Sequence, residues 1–390
     1  MRRILDILES GGFEGFVVGG CVRDHLLGIK PKDWDITTNA VPEQIKAAFA
    51  DIDDIHTVDT GIKHGTVTVV IDHIGYEVTT YRIDGEYKDS RHPESVEFTS
   101  DITADLARRD FTMNAVAYNP KRGFIDPFNG RGDIESRLIR GVGNAAARFE
   151  EDALRIMRAV RFAAQLGFDI EEKTYAAVFE KAELIKNIST ERIREEFTKT
   201  LMSERPDRLS ILDEAKVLEM FIKNLVYTPE QHGRLLTNSS PVLPVRLALL
   251  LADSEFNDVN GLLKSLTYDN ETARMTAQIL KFSQLPQKSA YDIRLLISKA
   301  GEYGAKLVLL YSLDSGNASE QNNSMEIYDN ILRNGDCCST KQLALTGNDL
   351  QALGVPRGKQ IGELLNAALD AVLHDPSLNE KDKLKEYLKL

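Results

Sequence analysis

Gly15-Phe16-Val17-Val18-Gly19-Gly20-Cys21-Val22-Arg23-Asp24 is followed, after a short linker, by Asp33-Trp34-Asp35, and this stretch decides how the chain begins to fold. Gly15 to Val18 reads as a buried strand running into two glycines, and Val22 to Gly28 as a short helix. Such a turn brings backbone N–H groups and a helix N-terminus to one point, where phosphate is the natural guest; Gly20 and Arg23 are its expected contacts, the arginine through a charge-assisted hydrogen bond. In a strand, Asp33 and Asp35 project to one side with Trp34 opposite, close enough to share divalent cations. Carboxylate oxygens suit Mg²⁺, which takes one or two protein carboxylates and completes its sphere with phosphate oxygens and water. A Gly-Gly turn or an Asp-x-Asp alone is commonplace. The order strand, Gly-Gly, Arg, strand, Asp-x-Asp points to metal-dependent transfer of a nucleotide.

With 390 residues, 42% of them hydrophobic, the chain is long enough to bury a large core and to divide into more than one domain. Its three cysteines, Cys21 and the adjacent Cys337 and Cys338, imply neither a disulfide framework nor a zinc site, which fits a reducing cytoplasm. No apolar run approaches the ~20 residues of a membrane span, so a soluble, cytoplasmic protein is expected. A net charge of −12 argues against coating nucleic acid by bulk attraction. Residues 1–138 hold 16 Lys and Arg against 24 Asp and Glu, whereas 139–200 hold 11 of each, so a polyanion would have to be met by local basic faces.

Up to about residue 138, strand-like runs such as Thr66 to Ile71 and Tyr76 to Tyr81 alternate with helical stretches such as Pro42 to Phe49, which describes an α/β head. Beyond it, helix-period segments follow one another at 149–166, 172–186, 190–202, 244–252, 270–283 and 360–373, with a polar loop expected from Asp314 to Asn323. The remainder is read as all-α.

Arg108-Arg109-Asp110-Phe111-Thr112-Met113-Asn114 precedes the strand-like Ala115 to Tyr118. Its charges suit a phosphate and a ribose hydroxyl, or simply a surface ion pair at a strand entrance. Residues 151–162 read as an uninterrupted helix in which Asp152, Arg155, Arg158 and Arg161 share a flank while Leu154, Met157 and Phe162 are available for burial. A solvated face with an Asp to Arg pair is one reading. The other is chemical: a carboxylate accepts and a guanidinium donates, so Asp152 beside Arg155 matches the amino donor and ring-nitrogen acceptor that cytosine and adenine share. Uracil and guanine present the reverse pattern and would be rejected.

In this order, GGCVRD with DWD, RRDFTMNA, DPFNGRGD at 126–133, EDALRIMRAVRF at 151–162 and ISTERIREE at 188–196 resemble the five motifs of the class II tRNA nucleotidyltransferases, the bacterial CCA-adding enzymes. The resemblance spans residues 19 to 196. It implies a polymerase β-like nucleotidyltransferase head with a mixed sheet, then helical neck, body and tail, placed at 1–138, 139–202, 203–295 and 296–390. It further implies template-independent addition of C, C and A to tRNA 3′ ends from CTP and ATP. On this resemblance Asp33 and Asp35 hold Mg²⁺, while Gly20, Arg23, Arg109, Asp110, Asp152, Arg155, Arg158 and Arg161 bind the nucleotide, Asp110 at the ribose 2′-hydroxyl. Asp126-Pro127 takes a hinge role on the same ground. Arg192 is read as a helix-stabilising partner of Glu195 or Glu196, and Glu77 as either a third carboxylate or a solvent-facing strand residue.

Residues 82–98 resemble the complete flexible loop of CCA-adding members, and Thr60 to Thr66 their CCA type. CC-adding or A-adding enzymes and poly(A) polymerases of the same family are the alternatives. Leu353 to Gly362 resembles the hairpin of a helix-hairpin-helix, or is a simple helix connection; as the former it would meet tRNA phosphates. His374-Asp375 is the one His-Asp pair, too few ligands for the phosphohydrolase domain of some relatives. A small-molecule nucleotidyltransferase would not need the helical half, a non-catalytic RNA-binding protein would have no use for Asp33 and Asp35, and a homodimer is left open.

Overall fold

The computed structural model describes residues 1–85, 96–316 and 318–390. These divide into two compact units, Met1–Lys223 and Asn224–Leu390.

The first unit opens with α1 (Arg2–Ser10), β1 (Gly15–Val18), α2 (Gly20–Leu26), β2 (Asp35–Thr38), α3 (Pro42–Phe49), β3 (Ile55–Gly61), β4 (Thr66–Ile71) and β5 (Ile74–Thr80). The short ribbon strands β6 (Arg82–Asp84) and β7 (Val96–Phe98) follow, then α4 (Ile102–Ala107), β8 (Ala117–Asn119), β9 (Gly123–Ile125) and α5 (Gly130–Glu135). A seven-stranded sheet runs β3-β4-β5-β2-β1-β8-β9, in which β2 and β5 are parallel and the other neighbours antiparallel. Both faces of β1 are covered: Val17 joins Ile4, Leu8, Ile36, Phe49 and Val78 on one side, while Phe16 and Val18 meet Tyr81, Leu106 and Ala117 on the other. Burial on both faces explains why Gly15 to Val18 is apolar throughout instead of alternating.

The rest of the first unit comprises β10 (Leu138–Ile139), α6 (Ala145–Glu151), α7 (Leu154–Leu166), β11 (Asp169–Ile170), α8 (Glu172–Lys181), α9 (Thr190–Leu201), α10 (Leu209–Glu214) and α11 (Val217–Phe221). Three expectations change here. The helix expected across 149–166 is two helices, because Asp152 is extended (φ −140°, ψ 102°) and its Oδ1 accepts the Leu154 N–H at 3.1 Å, restarting the chain as a capping residue does. The helix expected over 172–186 tightens to a 3₁₀ turn after Lys181. A strand pair, parallel Leu138–Ile139 and Asp169–Ile170, stands in the otherwise helical part.

The second unit holds α12 (Pro229–Asn238), α13 (Leu243–Leu251), α14 (Val259–Ser265), α15 (Asn270–Phe282), α16 (Ala290–Asp314), α17 (Ala318–Asn334), α18 (Gly347–Ala352), α19 (Lys359–His374) and α20 (Lys381–Leu388). Ser289 begins α16 through a capping box with Asp292, and Gly301 (φ 76°, ψ 167°) interrupts it. The polar loop expected over 314–323 is shorter, since helix resumes at Ala318. The turn between α18 and α19 uses Gly354 (φ 89°) and Gly358 (φ 133°), conformations open to glycine, and delivers an exposed Lys359 to the start of α19. Buried Arg294 closes the other end of α19, donating from Nε to Leu373 O at 2.7 Å and from Nη1 to Asp336 at 3.0 Å. No described helix is long and apolar enough to cross a membrane.

Candidate active site

Asp35 is the first residue of β2, and the parallel register sets it directly opposite Glu77 on β5. Asp33 lies in the bend before the strand, not within it as the alternation argument supposed, because ladder pairing begins at Asp35. Among the described residues, the three carboxylates accept no hydrogen bond. Asp35 is exposed at its tip, yet desolvation by the atoms around it raises its carboxyl from the ordinary value, with Arg109 opposing and Asp33 adding to the rise. Glu77 faces solvent in part, and partial desolvation raises it as well, with both aspartates reinforcing the rise. Mutual repulsion of this kind is what a cation relieves. Hard oxygen donors on two adjacent strands fit a divalent ion. Among the described residues no group of three such ligands forms a cage by itself, so phosphate oxygens and water would complete the sphere.

The wall beside them is the glycine turn. Gly19 (φ 81°) precedes α2, and a Cβ there would lie 3.0 Å from Arg109 Nη1 and 3.9 Å from Asp35 Oδ2, so a side chain would intrude where guanidinium and carboxylate converge. Arg109 Nε is buried without a hydrogen-bond partner. Its neighbour Asp105 is fully buried and bonded by Arg108 at 2.8 Å; burial alone would raise that carboxyl, but Arg108 and Arg109 hold it low. Cys21, in the same turn, is buried, which pushes its thiol up and leaves it unreactive.

Arg23 ties this turn to the RRDFTMNA segment. Its Nη1 donates to Asn114 Oδ1 at 2.8 Å, and Asn114 Nδ2 donates to Asp110 Oδ1 at 3.1 Å. Asp110 Oδ2 takes Nε of Arg158 at 2.8 Å. Burial would raise Asp110, but Arg158 and Asn114 bring it down to about 2. The surface ion pair considered for this cluster is therefore a buried junction between Asp110 and α7. Gly130 secures the neighbouring segment, since a Cβ there would lie 2.0 Å from the Thr112 carbonyl oxygen. Asp126 accepts the N–H groups of Gly130 and Arg131 at 2.6 and 2.9 Å, fixing the start of α5.

Around α7 and α9 the predicted residues gather, with different partners. Asp152 and Arg155 do not pair through their side chains. Asp152 Oδ2 accepts Arg192 Nη2 at 2.9 Å, and Arg155 donates to Glu151 at 2.7 Å and to the carbonyls of Arg148 and Arg108 at 3.0 Å each. Arg192 thus reaches across to Asp152 and not to Glu195 or Glu196, while Glu196 is taken by Arg161. The break at Asp152 rotates its side chain off the expected flank, and no spacing rule relating 152 to 192 was available from the sequence. Glu77, read as either a third carboxylate or a solvent-facing strand residue, is exposed in the middle of β5 and stands in parallel register with Asp35. The proposed loop at 82–98 is described at its base, as the antiparallel pair β6 and β7; residues 86–95 lie outside the described residues.

Three family models match the chain: "Poly A polymerase head domain" over residues 15–140, "Probable RNA and SrmB- binding site of polymerase A" over 167–228, and "tRNA nucleotidyltransferase domain 2 putative" over 246–388. The CCA-adding enzyme of Pediococcus pentosaceus is 36% identical, covering 97% of this chain and 94% of that protein. That of Leuconostoc citreum is 37% identical, covering 99% and 94%. Among solved structures, the Bacillus stearothermophilus CCA-adding enzyme in complex with CTP superposes with a TM-score of 0.84 at 32% identity, covering 99% of this chain and 95% of that one.

Proposed function

Because the chain belongs to the CCA-adding enzyme family of tRNA nucleotidyltransferases, we propose that it completes tRNA 3′ ends with C, C and A from CTP and ATP, in the cytoplasm. The observation that carries the reading is the in-register Asp35 and Glu77 pair, with Asp33 beside it and Arg109 reaching the glycine turn. Asp33 and Asp35 would hold Mg²⁺, with Glu77 as a further oxygen donor. Two such ions, when bound, would activate the tRNA 3′-hydroxyl and neutralise the departing pyrophosphate. The protein's own work is positioning and charge complementarity. Gly20, Arg23 and Arg109 grip phosphate oxygens, Arg158 and Arg161 extend that cationic wall, and Asp110 meets the ribose.

Base choice falls to Asp152 and Arg155. Three of the five N–H donors of Arg155 are taken, which leaves two for a base edge. Each oxygen of Asp152 has a second lone pair, and Arg192 holds the carboxylate in orientation. A head at 1–138, neck at 139–202, body at 203–295 and tail at 296–390 would divide catalysis, base reading and tRNA binding, the turn before Lys359 contributing to the last. The test is incubation with Mg²⁺, labelled CTP and ATP, and tRNA lacking its 3′ end, expected to add C, C and A and stop. Arrest after two C residues would replace the reading with CC addition, long A tails with a poly(A) polymerase, and RNA-independent labelling of a small acceptor would overturn it.

A further inference from the structure

Phe162 lies on α7, 5% exposed, with its ring edge-to-face against Phe111 at 5.8 Å and 86°. Three guanidinium carbons surround the same ring: Arg161 at 3.8 Å, Arg23 at 5.0 Å and Arg158 at 5.5 Å from its centroid. All are within the ~6 Å at which a ring quadrupole attracts a cation. Arg23 comes from the glycine turn and the other two from α7, so three like charges are drawn together from separate elements. Arg158 and Arg161 repel each other: burial lowers Arg161, and Arg158 lowers it further, with Glu196 opposing. Carboxylates could offset that repulsion, and Asp110 and Glu196 do so in part. Every further carboxylate would also repel an incoming polyphosphate. An aromatic face stabilises cations without adding net negative charge.

We propose that Phe162 is a positioning residue that gathers Arg23, Arg158 and Arg161 by cation–π attraction into a preassembled receptor for the nucleotide triphosphate. The proposal rests on the reading of those three arginines as nucleotide-binding. Phe162 acts through the arginines and touches no reacting atom. Its effect falls on triphosphate affinity, equally for CTP and ATP, because the base is read elsewhere.

The test replaces Phe162 in the full-length protein with mono-, di- and trifluorinated phenylalanine, which weakens the ring's negative face while keeping its shape, and measures CTP and ATP binding calorimetrically with Mg²⁺ and no RNA. The Kd for both nucleotides is expected to rise in step with fluorination, reaching about tenfold, equivalent to ~1.4 kcal/mol; thermal midpoint and kcat should stay constant. Phe162→Leu should match the trifluorinated variant in Kd. A flat Kd across the fluorinated series, with a loss confined to the thermal midpoint of Phe162→Leu, would show a plain core residue and overturn the proposal. A rise for one nucleotide alone would overturn it too. Wild-type protein that binds both nucleotides but does not extend tRNA would defeat the CCA reading while leaving this series interpretable.

Discussion

The carboxylates at the head of β2 and the arginines of α7 treat charge in opposite ways. Asp33, Asp35 and Glu77 accept no hydrogen bond among the described residues, and Asp35 and Glu77 are raised from their ordinary values. In α7, Arg155, Arg158 and Arg161 each have an acidic partner, and Asp110 sits at about 2. Charges left unmatched in a fold cost stability, so they are kept where a ligand supplies the counter-charge; charges matched in advance define a rigid frame. One region waits for a cation, and the other is already built.

The largest effect should come from the unmatched side. Asp35→Ala is expected to lower CMP incorporation at least about 10³-fold, ~4 kcal/mol of transition-state stabilisation, with tRNA binding by filter retention unchanged. Retained incorporation would erase the contrast. On the matched side, Glu196→Gln leaves the buried Arg161 guanidinium without its counter-charge and should cost about 3 kcal/mol in urea unfolding. An unfolding midpoint equal to wild type would mean that this frame is not stabilised by pairing.

Acid should then separate the two regions. Asp110 is depressed in the folded state, so its stabilisation is complete above the unfolded value of ~3.9 and is lost as pH falls from about 4 to 2, amounting to roughly 2–3 kcal/mol. Asp110→Asn should flatten that part of the acid-unfolding curve; an unaltered slope would place the depression elsewhere. The smallest effect sharpens the comparison where the regions meet: Asp152→Ala should raise UMP relative to CMP incorporation about tenfold, ~1.4 kcal/mol. Unchanged rejection of UTP would remove Asp152 from base reading.

Local pattern made much of the head legible. Gly15 to Val18, Pro42 to Phe49 and Thr66 to Ile71 form the elements their periodicity announces, with those bounds. The glycine turn and the acidic pair could be read because their chemistry is written within about twenty residues. The break at Asp152 could not, since a side chain capping its own helix competes on nearly equal terms with continued helix. Nor could Arg192 reaching Asp152, or Arg158 reaching Asp110, because these ion pairs are chosen by tertiary packing and leave no trace in spacing. Helix at Ala318 was missed for a related reason: Asn and Ser favour turns locally, and tertiary context overrides a weak propensity.

The break at Asp152 links accuracy to temperature. The carboxylate assigned to base reading is also the group that satisfies the Leu154 N–H and starts α7, so it cannot turn away from a base without loosening the first turn of that helix. Fraying there and misreading would be a single event. Warming the protein towards its transition should therefore spoil discrimination between nucleotides before it slows their transfer, making error frequency a more sensitive thermometer of this fold than rate.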